Sequence, residues 1–81
     1  MKIELRSSAI KDLNKITSKD KNRIINSINS LSNFPQTSNL KRLVISDYAY
    51  RMRVGSYRIL FDVINDIVFI ARILHRKDSY K

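Results

Sequence analysis

Tyr48–Tyr80 reads YAYRMRVGSYRILFDVINDIVFIARILHRKDSY, and it carries six of the chain's positive side chains together with its only histidine. Its apolar alternation is broken at two dipeptides, so it reads as three consecutive strands joined by two tight turns. Gly55-Ser56 contains the chain's only glycine, and Gly-X is the type II′ hairpin signal. A two-residue loop there places Val54 opposite Tyr57, Arg53 opposite Arg58, Met52 opposite Ile59 and Arg51 opposite Leu60. Asn65-Asp66 gives an I′-like signal, which pairs Ile64 with Ile67, Leu60 with Ala71 and Arg58 with Ile73.

Because side chains alternate across a sheet, each face can be listed from these registers. One face holds Tyr50, Met52, Val54, Tyr57, Ile59, Phe61, Val63, Val68, Ile70 and Leu74, and it must be covered. The other holds Arg51, Arg53, Arg58, Leu60, Asp62, Phe69, Ala71, Ile73 and His75, with its basic groups at one end. Like charges directly opposite on a sheet cost roughly 0.2–1 kcal/mol, so the Arg53·Arg58 pair is a feature that a purely structural sequence avoids. A polyanion site needs it. Three arginines reaching into water over an open face would produce the same pattern.

Outside this stretch, Met1–Arg6 alternates Ile3 and Leu5 with polar residues and predicts a short strand. Ser7 or Ser8 can cap a helix whose apolar residues Ala9, Ile10, Leu13 and Ile16 carry it to about Lys15. Thr17, with Asp20 three residues on, resembles a capping arrangement. A second helix follows to about Asn33 with the stripe Ile24, Ile25, Ile28, Leu31 and Phe34, read as core. Pro35 stops it. Leu40–Ile45 reads as a transitional or partly paired segment, and Asp47 turns the chain into the sheet. The fold class is α+β, a single domain over 1–81 with an N-terminal strand and helical hairpin packed on a small antiparallel sheet.

Composition sets the outer limits. Eighty-one residues carry 16 Lys plus Arg against 7 acids, a formal net charge of +9, and this excess favours an anionic partner. Of the eight arginines, six lie between Arg42 and Arg76, whereas five of the eight lysines lie in the first 21 residues. Arginine's planar fork matches phosphate oxygens where lysine is a hydrated point charge, so phosphate recognition belongs to the sheet. With no cysteine, disulfides and thiolate metal sites are excluded, and one histidine argues against zinc or iron. No cofactor is expected. Asp62, Asp66 and Asp78 read as local charge partners or turn formers rather than metal ligands. The chain has neither the ~20-residue apolar run of a membrane span nor the apolar core of a signal peptide, and it is expected to be soluble and cytoplasmic. At the C-terminus, His75 is expected to extend beyond Arg58 on the basic face, where it can pass protons near neutrality. Tyr80 can stack on a base or supply a hydroxyl.

A short strand, a helical hairpin, an LKRL segment, then YRMRVGSYRILFDV and ILHRKDSY together resemble the RelE/ParE superfamily of bacterial and archaeal toxins, over essentially the whole chain. RVGSYRI followed some fifteen residues later by LHRKDSY is the specific part. The resemblance implies one of two activities. RelE-like members enter the ribosomal A site and cut mRNA by attack of the 2′-hydroxyl on the adjacent phosphate, whereas ParE-like members poison DNA gyrase without the basic catalytic set. Both are silenced by a cognate antitoxin, here an acidic, RelB-like partner.

Carried over by position, the functional residues are Arg51, Arg53, Arg58, Arg76 and Tyr80, with His75 usual where the motif reads HR. Some RelE-like toxins have lysines where this chain has Arg51 and Arg53. A guanidinium with a pKa above ~12 is a poor general base, which moves proton transfer to His75 and leaves Arg58 and Arg76 to clamp the phosphate. A metal-independent mRNA endonuclease, a gyrase inhibitor and a non-catalytic RNA-binding module all remain open on sequence alone.

Overall fold

The computed structural model describes residues 1–37, 39–44 and 48–77. In chain order the elements are β1 (Lys2–Leu5), α1 (Ser7–Asn14), α2 (Ser18–Ser30) with a closing 3-10 turn (Leu31–Asn33), β2 (Leu40–Arg42), β3 (Tyr50–Val54), β4 (Tyr57–Ile64) and β5 (Ile67–His75). They build one five-stranded sheet in the order β1-β5-β4-β3-β2. The α+β architecture stands, but the sheet is mixed rather than antiparallel. The N-terminal strand lies parallel to the last one, from Lys2 beside Ile67 to Leu5 beside Ile70.

Both turns have the chemistry read from the sequence. Gly55 has φ +57 while Ser56 does not enter the left-handed region, the pattern of a II′ turn. Asn65 and Asp66 have φ 51 and 63, and two left-handed residues in a row define I′. The β3–β4 register pairs Val54 with Tyr57, Arg53 with Arg58, Met52 with Ile59 and Arg51 with Leu60. Every one of these pairs is as expected.

The β4–β5 register departs half-way. Ile64 faces Ile67 and Phe61 faces Ile70, but Leu60 then faces Arg72, Ile59 faces Ile73, Arg58 faces Leu74 and Tyr57 faces His75. Ala71 is the extra residue of a bulge. The signal was in the sequence: unbroken alternation through Val68 and Ile70 puts Arg72 inside the core. One inserted residue turns Arg72 outward, brings Ile73 in at 3% exposure, and exchanges the faces of Leu74 and His75.

The core lies between the helices and the inner sheet face. Ala9, Ile24, Ile28 and Leu31 pack on Met52, Ile59, Phe61, Val68, Ile70 and Ile73. At one end Phe34 meets Tyr50 edge-on at 5.0 Å, and Tyr50 stacks on Phe61 at 5.4 Å. Ile25, expected in the stripe, is exposed; Ile24, Ile28 and Leu31 carry the buried helical period without it.

α1 does more than cover the sheet. β1 pairs with β5 only as far as Ile70, and beyond that point β5 has a free edge, a liability unless covered. Ser8 Oγ donates to the Ala71 carbonyl at 2.6 Å, and the Ile73 N–H donates to Asp12 Oδ2 at 3.0 Å. Side chains of the helix thus replace the missing strand. Neither Ser7 nor Ser8 caps α1: Arg6 stands at the cap position, and no side chain bonds there. Thr17 does stand at the cap of α2, also without a side-chain bond.

Candidate functional site

The outer face, turned away from the helices, can be read row by row from the pairing. One row runs Lys41·Arg51·Leu60·Arg72 and the next Arg53·Arg58·Leu74. Residues directly opposite one another bring their Cβ atoms to within about 5 Å, so Arg53 and Arg58 sit side by side with Arg51 two residues along the same strand. β3 and β4 hold this arrangement because Gly55 fixes their register. Arg53 is exposed, and Arg51 and Arg58 are half-buried.

Two cations of this face were not singled out in the sequence. Lys41 joins because LKR pairs as a true edge strand, which alternation within three residues could not establish. Arg72 joins because of the bulge. Its charge is committed elsewhere: Arg72 Nε and Nη2 donate to the two Asp12 carboxylate oxygens at 2.7 and 3.0 Å. Burial works to raise the Asp12 pKa, but the hydrogen bonds from Arg72 and from the Ile73 amide, with the nearby Arg72 and Lys15 charges, leave it below the ordinary carboxylate value. The same bond raises Arg72. Arg72 is therefore a strut between β5 and α1, and a phosphate would compete with an internal carboxylate for it.

The face's own acid is also occupied. Asp62 accepts the Ala49 N–H at 2.8 Å and lies 3.7 Å from Arg6, whose guanidinium sits over the Phe69 ring at 5.6 Å. Asp66 is a turn residue, and Asp78 lies outside the described residues. Among the described residues, no carboxylate forms an ion pair with Arg51 or Arg53. Arg58 and Arg76 each have an interaction partner within the molecule. Arg51 and Arg53 are thus cations of this face that no described carboxylate neutralises, and their planar forks suit phosphate oxygens. No group of three His, Cys, Asp or Glu side chains that could hold a metal occurs among the described residues.

His75 is the correction. It pairs with Tyr57, not beyond Arg58, so its ring is on the helix side of the sheet, edge-on to Tyr57 at 5.2 Å. Its Nδ1 accepts the Lys77 N–H at 3.2 Å, which assigns the proton of the neutral ring to Nε2. There it lines a small cleft with Asp20, Arg23 and the Gly55 turn. Arg76 continues the pairing, its N–H donating to the Ser56 carbonyl at 2.7 Å, and so stands at the end of the sheet that carries Arg53 and Arg58. Tyr80 lies outside the described residues.

The chain and its fold have counterparts. Residues 3–80 match the family model described as the ParE toxin of type II toxin-antitoxin systems. The chain belongs to the RelE/ParE toxin family. It is 34% identical to the toxin RelE3 of Methanocaldococcus jannaschii, with 99% of this chain and 96% of that one covered. It is also 30% identical to the putative toxin RelE1 of the same organism, over 98% and 93%. Among solved structures it resembles a RelB–RelE antitoxin–toxin complex from Methanococcus jannaschii, at a TM-score of 0.80 and 28% identity over 94% of this chain and 93% of that one. Free Escherichia coli RelE shares the fold at a TM-score of 0.75 and 19% identity, over 98% and 86%. The protein is thus a RelE-family toxin of a type II toxin–antitoxin system.

Proposed function

We propose that this RelE-family toxin is an mRNA endonuclease acting in the ribosomal A site. The observation that carries the reading is the Arg53·Arg58 like-charge pair beside Arg51 on the sheet face turned away from the helices, a juxtaposition that by itself disfavours folding. In the proposed reaction the RNA 2′-hydroxyl attacks the neighbouring phosphorus. The bond to the 5′-oxygen breaks, leaving a 2′,3′-cyclic phosphate and a 5′-hydroxyl. The 2′-hydroxyl gives up its proton and the 5′-oxygen gains one. Arg51 and Arg53 supply the field that favours the 2′-alkoxide and the charge building on the pentavalent phosphorane. Arg58 and Arg76 clamp the phosphate oxygens, and Tyr80 is assigned to stacking or to a hydroxyl contact.

Proton transfer by His75 carries a condition. Its Nδ1 is occupied by the Lys77 amide, and its ring is behind the sheet. It takes the 2′-hydroxyl proton only when that bond opens and the RNA passes around the strand end. The partner that silences the toxin is proposed to be an acidic, RelB-like antitoxin, because the structural neighbours at 28% and 25% identity are toxin–antitoxin complexes and the chain's net charge of +9 calls for neutralisation. The ribosomal target implies the cytoplasm, and no described helix is long and apolar enough to cross a membrane.

The second reading, inhibition of DNA gyrase by contact, is favoured by the ParE description of the matching family model. Mapping mRNA 5′ ends after brief induction separates the two. Codon-phased cuts that vanish in Arg58→Ala support the nuclease; loss of supercoiling with intact mRNA replaces it with the inhibitor.

A further inference from the structure

Beside the end of β3, between α2 and the Pro35 loop, lies a cleft of about 470 Å³ from which the preceding chemistry draws only Arg53. Its lining is unusual for so basic a chain. Asn26, Asn33, Gln36 and Asn39 contribute four carboxamides, and Arg53 is its only charged residue among the described residues. Thr37 also lines it, and Thr37 Oγ1 is shielded from solvent with no hydrogen-bond partner. The loop is tied to the sheet where the Arg53 N–H donates to the Asn39 carbonyl at 3.2 Å, with Asn39 at φ 61. Arg53 therefore belongs to two surfaces at once: it lines this cleft and stands opposite Arg58 on the basic face.

A phosphate or a carboxylate is poorly served by a cleft with a single cation. A nucleobase edge is well served, because it presents donors and acceptors together without charge. A carboxamide does the same, and bases of single-stranded RNA are read on their exposed edges once splayed from the stack. We infer that the cleft seats one unstacked base of the RNA, next to the phosphate held by Arg53 and Arg58, and that it prefers adenine, which offers a carboxamide an adjacent donor and acceptor on both its Watson–Crick edge (N6–H and N1) and its Hoogsteen edge (N6–H and N7). The inference rests on the nucleic-acid reading above, and it assigns base preference to the α2–β2 segment rather than to the basic sheet.

Titration of ¹⁵N-labelled toxin with AMP, CMP, GMP, UMP and inorganic phosphate tests it. AMP should move the side-chain amide signals of Asn26, Asn33, Gln36 and Asn39, and bind more tightly than the other three nucleotides. Asn33→Ala, with its fold checked by a thermal melt, should weaken AMP by about fivefold or more, the loss of one bidentate contact. Equal affinity for all four nucleotides, or shifts confined to arginine signals, overturns the subsite and leaves the nuclease reading intact. Carboxamide signals that respond to an acidic antitoxin peptide and not to nucleotides make the cleft a protein-docking surface, which also overturns it. AMP binding in a wild-type toxin that cuts no mRNA would instead sink the nuclease reading alone.

Discussion

At Arg53, the proposed function and stability pull in opposite directions. Replacing it by glutamine removes one member of the Arg53·Arg58 pair and relieves a repulsion of roughly 0.2–1 kcal/mol. The variant should melt no lower than wild type while mRNA cleavage falls by about 10²–10³, the scale for losing one preorganised group at a developing charge. A parallel loss of fold would instead make Arg53 a structural residue. His75 makes a different prediction. If it carries the proton, His75→Ala should lower the cleavage rate at saturating RNA while leaving RNA affinity unchanged. An unchanged rate removes His75 from the reaction. The two residues also differ in legibility. Arg53 was placed correctly from the Gly55 turn two residues away. His75 was placed on the wrong face because a bulge lies between it and the nearest turn.

Elements are held by contacts that the sequence disguises. α1 substitutes for a strand along β5, and Asp12 is the hinge of that substitution, accepting from Arg72 and from the Ile73 amide. Asp12→Asn should cost about 1.5–3 kcal/mol in a urea melt, the scale for hydrogen bonds to a charged group. The folded-state pKa of Asp12 is depressed. Its contribution is therefore present above the unfolded value of about 4 and lost as pH falls through the lower folded value. Wild type should lose stability below about pH 4 more steeply than Asp12→Asn does; equal slopes would mean the pair is not linked to folding. The β3–β4 turn is similarly exacting. At Gly55, with φ +57, an added Cβ would come within 3.2 Å of Arg23 Nη2. Arg23 is a flexible side chain that can give way, so the left-handed backbone accounts for most of the cost. Gly55→Ala should destabilise by about 1–2 kcal/mol, with cleavage falling as the Arg53·Arg58 register loosens.

Over the whole molecule, charge governs association. An 81-residue chain with a formal net charge of +9 should bind ribosomes and single-stranded RNA with an affinity that falls steeply with salt. The logarithmic slope should be about −0.7 per phosphate neutralised on a single strand. Arg51→Ala should shallow that slope by roughly one phosphate's worth; an unaltered slope places Arg51 outside the binding path. The same field should make the antitoxin a stabiliser of the toxin, seen as a melting temperature that rises with antitoxin concentration.

The fold class, the two turns and the β3–β4 register were determined by local chemistry alone, because glycine or asparagine at a left-handed position and apolar alternation act within a few residues. From these followed the grouping of Arg51, Arg53 and Arg58. Only the tertiary structure decided the parallel docking of β1, the bulge at Ala71 and, through it, the faces of Arg72, Ile73, Leu74 and His75. The physical reason is long-range. A strand's alternation yields to a bulge when doing so turns a charge out of the core and offers an edge to a helix, and both of those partners lie some sixty residues away in the chain.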